Sequence, residues 1–163
     1  MRSALLLVLL VTLMFTDGWD HKSQKNNAYD DFKRKHIISD DFDTGCRVGW
    51  AEYLTKKKLC GTDRPELQSF LSKNKEDSIK NICNGEGIRD RDNLCTSNKT
   101  FTVYTVTKKQ QQPCEVVTID AIERYVVVAC DVIVNQCLPV HYQTQTNTPP
   151  NQNGQICKPP TYW

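Results

Sequence analysis

Two histidines, His36 and His141, are the residues of this sequence best suited to proton transfer. Histidine has an ordinary pKa of about 6.5, so it can give or take a proton near neutral pH. His141 lies in the segment 138–142, after an apolar stretch that ends at Cys130 and a short polar turn with a second cysteine, Cys137. The pattern predicts a histidine presented from a rigid strand, and acid/base chemistry then depends on a partner for it.

His36 closes a segment with helical spacing. Ala28, Phe32 and His36 follow one another at intervals of four residues, so all three project from one helical face. A histidine at the C-terminal end of a helix also interacts favourably with the helix dipole as imidazolium. A purely structural, partly buried His36 is therefore the alternative to a catalytic one.

Short helices are predicted early in the chain and strands late. Apolar spacing indicates further helices over 46–59 and 75–83. β-branched and aromatic residues dominate 100–107, 116–119 and 125–130, which are predicted strands. This order predicts an α+β domain with an antiparallel sheet.

The first residues have the composition of a secretory signal peptide. After Arg2 the chain is apolar from Ala4 to Phe15, which is well short of the roughly 20 residues that a membrane span needs. We therefore predict a signal peptide at 1–18, a domain at 19–145, an irregular polar tail at 146–163, and an extracellular location.

Eight cysteines predict up to four disulfides in an oxidising compartment. Their spacing, with no short Cys or His pair, does not favour a metal site. Three basic clusters, at 33–35, 56–58 and 108–109, could bind phosphates or could equally be solvated faces, and the formal net charge is only +2. Asn98 begins an Asn-Lys-Thr acceptor for N-glycosylation.

Three segments carry a family resemblance when they are read together: Phe32–His36, the strand Val126–Cys130, and Leu138–Tyr142. In these segments the chain resembles the pancreatic-type ribonuclease superfamily, which includes ribonuclease A and the angiogenins. In that family a helix-borne histidine follows a phenylalanine by four residues. A second histidine lies in a Pro-Val-His-Phe-like strand, after an apolar strand that ends in Ala-Cys. The similarity spans most of residues 29–142. It implies a disulfide-stapled α+β fold with short N-terminal helices packed on a bent antiparallel sheet.

The resemblance implies cleavage of single-stranded RNA without a metal or other cofactor. His36 would remove the proton of the ribose 2′-OH, which attacks the adjacent phosphorus. His141 would protonate the departing 5′-oxygen, and the product would be a 2′,3′-cyclic phosphate. The residues carried over as substrate-binding are Lys35, Gln68, Ser69 and Tyr142, with Ser69 in the place of a threonine that reads pyrimidines.

The cation of the family's site is not in its usual place. The family has its transition-state lysine directly after the cysteine that Cys60 matches, whereas here Gly61 follows. Alignment on Pro65 makes Arg64 the nearest substitute, in a register with inserted residues, and the lysines at 56–58 are the alternatives. Arginine differs from lysine in shape and hydration, so reduced activity is expected.

Three other positions depart from the family pattern. Gln143 replaces the aspartate that usually orients the acid's imidazole, and Lys35 replaces a glutamine before the base. The segment 131–138 is longer than the family's turn and contains the extra Cys137. We therefore expect the fold of that turn to decide whether His141 faces the cleft.

The resemblance also implies a disulfide pattern. Cys60 with Cys114 and Cys83 with Cys130 follow the family pairing by position. The usual partner of Cys46 would lie near residues 105–107, where there is no cysteine, so a shifted register is expected. The two remaining expected pairs are Cys46 with Cys95 and Cys137 with Cys157.

Two functions from different classes follow from the sequence. The first is a secreted, monomeric endoribonuclease of reduced activity that acts on single-stranded RNA, with a role in host defence or in angiogenin-like signalling. The second is a non-catalytic antimicrobial or receptor-binding protein on the same scaffold, whose partner is a microbial surface or a cell-surface receptor. The retained histidine pair favours the first.

Overall fold

A computed structural model describes the backbone of residues 17–158 and the side chains of residues 27–158. Residues 1–16 and 159–163 lie outside the described residues, and with them most of the predicted signal peptide and the end of the predicted tail. Within the described part of the chain, no helix has both the length and the apolar composition needed to cross a bilayer.

Three helices precede most of the sheet, as the sequence predicts. Helix α1 spans Asp17–His36, α2 spans Arg47–Lys56 and α3 spans Glu76–Asn81. The first helix begins well before Ala28, where the helical spacing of the sequence starts, but it ends at the predicted histidine, His36. A short 3-10 turn, Lys73–Lys75, leads into α3, and a π turn, Ile82–Glu86, follows it.

Seven strands form one curled sheet. They are β1 (Ile37–Ile38), β2 (Leu67–Ser72), β3 (Gly87–Arg89), β4 (Leu94–Ser97), β5 (Phe101–Lys108), β6 (Val116–Ile133) and β7 (Gln136–Thr146). The order is β1-β2-β5-β6-β4-β3, and β7 also pairs with β6. The α+β class is confirmed, although the sheet is mixed because β1 runs parallel to β2.

Strand β6 connects the two halves of the sheet. Its first part pairs with β5 and its second part with β4 and β7. The two strands predicted at 116–119 and 125–130 are therefore one strand. The polar stretch between them continues the ladder because β5 supplies its backbone partners, for example Thr105 opposite Asp120.

The core consists of two clusters on either side of the sheet's central strands. One contains Phe32 of α1 with Val126 and Val128 of β6, and all three side chains are almost completely buried. The other surrounds Trp50 of α2, whose indole nitrogen donates a hydrogen bond to the Thr44 carbonyl at 2.8 Å. Helices α1 and α2 are thus each held by buried aromatic side chains, and α1 brings its last residue next to β2.

The disulfides agree with the expected pattern at two of four pairs. Cys60 is joined to Cys114, and Cys83 is joined to Cys130. The expected pairs Cys46–Cys95 and Cys137–Cys157 are wrong, because Cys95 is joined to Cys157. Cys46 and Cys137 are thiols.

The tail explains the different pairing. It lies along β3, where the amide of Cys157 donates to the Gly87 carbonyl at 2.9 Å and the amide of Arg89 donates to the Gln155 carbonyl at 2.7 Å. Because Arg89 is paired with Cys95 across the β3–β4 ladder, this docking brings Cys157 to Cys95. Cys46, by contrast, directly precedes α2, whose buried residues belong to the other core cluster.

Candidate active site

A cleft of about 490 Å³ opens where the end of α1 meets β2, β5 and β7. It contains every residue that the sequence predicted for catalysis or substrate binding: Lys35, His36, Arg64, Gln68, Ser69, His141 and Tyr142. These side chains come from three separate stretches of sequence. The fold therefore brings the predicted site together in one place, while the roles of its residues stay predictions.

His36 is held in one tautomer by the strand beside it. Its Nδ1 lies 2.9 Å from the backbone carbonyl oxygen of Ser69. A carbonyl can only accept, so Nδ1 carries the hydrogen and the lone pair of the neutral ring is on Nε2. The ring stacks on Tyr142 with centroids 5.1 Å apart and packs against Phe32 at 5.4 Å. These contacts fix the orientation of a potential proton acceptor.

Burial lowers the pKa of His36 to about 4. The loss of solvation is the largest cause, and the nearby positive charges of His141 and Lys35 act in the same direction. The hydrogen bond to Ser69 and the carboxylate of Asp31 act in the opposite direction. At neutral pH His36 is therefore uncharged, which is the form that a general base requires.

The position of His141 depends on two irregularities in the pairing of β6 with β7 and not on a long turn. The predicted turn at 131–138 is instead a continuation of both strands, closed by Val134 and Asn135 at φ of 47° and 64°. The β6–β7 register shifts twice, between Val127 and Val128 and between Ala129 and Cys130. The two bulges bracket His141, which is exposed and lines the cleft.

Tyr142 belongs to a hydrogen-bonded chain that the sequence did not predict. Its hydroxyl donates to Gln145 Oε1 at 2.5 Å, and Gln145 Nε2 donates to Thr105 Oγ1 at 3.0 Å. Burial raises the pKa of the Tyr142 hydroxyl, so it remains a donor at neutral pH. Gln145 and Thr105 also line the cleft. The only sequence signal for Gln145 was its position on the strand of His141.

Two predicted substrate contacts are partly engaged within the protein. Gln68 Nε2 donates to the Lys35 carbonyl at 2.9 Å and so satisfies a backbone group at the end of α1. Lys35 Nζ lies 2.5 Å from a carboxylate oxygen of Asp31, one turn earlier in the helix. Gln68 thus positions the helix end that carries His36.

Arg64, which lies in the loop before β2, is a cation that lines the cleft. The alternatives at 56–58 do not line it, and Lys56 and Lys57 instead lie near Asp40, with nitrogen–oxygen distances of 2.7 and 3.8 Å. Arg64 is about a third exposed, and its Nε lies 3.6 Å from Asp63. Among the described residues that line the cleft, Arg64 and Lys35 are therefore the two arginine or lysine side chains.

Searches of protein families and of curated proteins returned no match to this chain. Solved structures do match. Zebrafish RNase5 is 26% identical, with a TM-score of 0.59 over 74% of this chain and 96% of that one. The structure of SS-RNase-2 des116-120 is also 26% identical, with a TM-score of 0.58 over 74% and 100%. Green turtle egg white ribonuclease is 24% identical, with a TM-score of 0.59 over 72% and 98%.

These matches cover nearly the whole of each ribonuclease. Independently of them, this chain has two disulfides that the resemblance implied, Cys60–Cys114 and Cys83–Cys130. It also brings His36 and His141 to one cleft. The chain belongs to the pancreatic-type ribonuclease superfamily, as a divergent member.

Proposed function

We propose that this protein is a secreted endoribonuclease that cleaves single-stranded RNA. The observation that carries the proposal is the pair of imidazoles at one cleft, with the partly buried His36 fixed as the neutral tautomer whose Nε2 can accept a proton. The three disulfides support an oxidising, extracellular location.

In the proposed reaction, His36 Nε2 takes the proton of the ribose 2′-OH while the 2′-oxygen attacks the adjacent phosphorus. His141 as imidazolium gives a proton to the 5′-oxygen as the phosphorus–oxygen bond breaks. The products are a 2′,3′-cyclic phosphate and a free 5′-hydroxyl. Arg64 supplies positive charge to the phosphorane-like transition state.

The same geometry supports a slow enzyme. A general base works best when its pKa is near the operating pH, and burial holds the pKa of His36 at about 4, so its proton affinity is low. Arg64 is a substitute for a lysine and lies next to Asp63. The non-catalytic alternative, with a microbial surface or a receptor as partner, is favoured by this low pKa of His36.

The decisive experiment is a turnover assay on single-stranded RNA and on its 2′-deoxy analogue. We expect the RNA alone to be cleaved, to fragments ending in a cyclic phosphate. His36→Ala and His141→Ala should each reduce the rate by about a hundredfold or more. Lys109→Ala serves as the control, because this exposed lysine pairs with Glu115 at 2.6 Å, away from the cleft.

Two results would contradict the proposal. One is cleavage of the 2′-deoxy analogue at a similar rate, because the mechanism needs the 2′-OH as nucleophile. The other is parental activity in both histidine variants. Salt-dependent growth inhibition that survives the loss of both histidines would favour the non-catalytic alternative.

A further inference from the structure

Lys108, the last residue of β5, is the only charged side chain among the described residues that is classed as buried, with 1% of its surface exposed. An ammonium group loses several kcal/mol of hydration when it is buried without compensation. A lysine in such a place therefore needs a specific reason, and its surroundings provide one.

The reason lies in the loop that carries Arg64. Lys108 Nζ donates to the Pro65 carbonyl, and the Lys108 amide donates to the Glu66 carbonyl at 2.8 Å. Gln110 Nε2 donates to the Arg64 carbonyl at 3.0 Å. Three consecutive carbonyls are thus held by donors from one short segment, 108–110.

The charges around Lys108 point to a second effect. Desolvation lowers its pKa most, the positive charge of Arg64 acts in the same direction, and Asp63 and Glu66 act in the opposite one. Lys108 and Arg64 are therefore close enough to repel each other.

We propose that Lys108 is a positioning residue for Arg64. It holds the carbonyls of Pro65 and Glu66, directly after Arg64, and so fixes the loop from which Arg64 lines the cleft. Lys108 does not itself line the cleft, and its Nζ is bound to Pro65. The role fits the sequence around Arg64, where residues are inserted between Cys60 and Pro65 and the longer loop needs an anchor. The inference rests on the proposed function to the extent that Arg64 serves catalysis.

The test is a double-mutant cycle between Lys108→Met and Arg64→Ala. Methionine keeps an unbranched apolar stem in the buried space but removes the charge and the hydrogen bond. We expect Lys108→Met to lower kcat on single-stranded RNA by about tenfold with little change in KM, since it weakens a contact made in the transition state. In the Arg64→Ala background it should have no further effect, because it acts through Arg64.

The matched control is Lys109→Met, which should keep the parental kcat. Additive effects of Lys108→Met and Arg64→Ala would overturn the inference, because they would show that Lys108 acts independently of Arg64. Should Lys108→Met fail to fold, Gln110→Ala is the second variant. It removes only the donor to the Arg64 carbonyl, and its effect should likewise vanish without Arg64.

The loop can also be tested without catalysis. Amide hydrogen exchange over residues 61–66 should be at least about tenfold faster in Lys108→Met than in Lys109→Met, because the substitution removes the side-chain hydrogen bond to Pro65, although the backbone amide still donates to Glu66. A parent protein that cleaves no RNA would overturn the proposed function and leave this measurement intact. Unchanged exchange in an otherwise active enzyme would overturn the positioning role alone.

Discussion

The depressed pKa of His36 couples folding stability to pH. The folded state holds this pKa at about 4, whereas the unfolded chain has the ordinary value of about 6.5. Below the pKa of the unfolded chain, the unfolded chain binds a proton at His36 and the folded protein does not. His36 therefore contributes nothing to the pH dependence above about pH 7 and destabilises the fold progressively as the pH falls toward 4.

The size of the effect follows from the two pKa values. Each unit of separation is worth about 1.4 kcal/mol, so the free energy of unfolding should fall by about 2 kcal/mol between pH 7 and pH 5, and by about 3 kcal/mol at pH 4. A domain of this size is stable by about 5–15 kcal/mol, so the loss is a substantial share.

The assay compares the parent with His36→Phe by urea unfolding at pH 7, 5 and 4. Phenylalanine keeps a ring between Phe32 and Tyr142 and cannot titrate. Its stability at pH 7 will differ because the Ser69 carbonyl loses its donor, but that cost is independent of pH. The stability difference between parent and variant should therefore shift by about 2 kcal/mol at pH 5.

The control is Phe32→Leu, a substitution in the same packing that adds and removes no titratable group. Its stability difference from the parent should be constant over this range. A constant difference for His36→Phe as well would refute the reasoning, because it would mean that the folded and unfolded states hold the His36 proton equally.

Three further predictions concern other parts of the molecule. Replacing both Cys95 and Cys157 by serine should lower the free energy of unfolding by about 2–4 kcal/mol in urea titrations, whereas Cys46→Ser should change it by less than about 0.5 kcal/mol. Tyr142→Phe keeps the ring stacked on His36 but loses the hydrogen bond to Gln145, so it should lower the free energy of unfolding by about 1 kcal/mol in the same titrations. Asn98 is exposed, so Asn98→Gln should remove a glycan, seen as a mass shift after production in a secretory cell line, without loss of stability.

The site was predictable from sequence because its residues lie on regular elements. The interval of four residues between Phe32 and His36 fixes one face of α1, and the strand at 138–142 fixes the place of His141. Both patterns depend on periodicities of the backbone, so they can be recognised without tertiary information. These patterns do not show that the two histidines meet in one cleft. That expectation depended on the family resemblance.

What sequence could not supply depends on contacts between distant segments. The polar tail has no periodicity, whereas its docking on β3, and with it the bond from Cys95 to Cys157, depends on backbone hydrogen bonds to β3 and on the burial of Cys157 in the core. The polar stretch inside β6 continues as strand because of its neighbour β5. The sequence around Lys108 is polar and is typical of a solvated loop. The side chain is nevertheless buried, because the loop before β2 folds over it.

The order of the disulfides along the chain determines how the protein responds to proteolysis. The three bonds join 60 to 114, 83 to 130 and 95 to 157, so their loops overlap in an unbroken series. A single nick anywhere between Cys60 and Cys157 leaves the two fragments covalently joined, and Arg64, Ser69 and His141 all lie in this protected span. His36 does not, because Cys46 has no partner that would extend the series toward it.

The exposed loop between β1 and α2 is therefore the sensitive point. A nick near Asp41 would leave α1 and β1 held without a covalent bond, by the burial of Phe32 and Ile37 and by hydrogen bonds such as that from Gln68 to the Lys35 carbonyl. Cleavage of one peptide bond would thus place the two histidines on separate chains. The nicked protein would then be a non-covalent complex that dilution can dissociate.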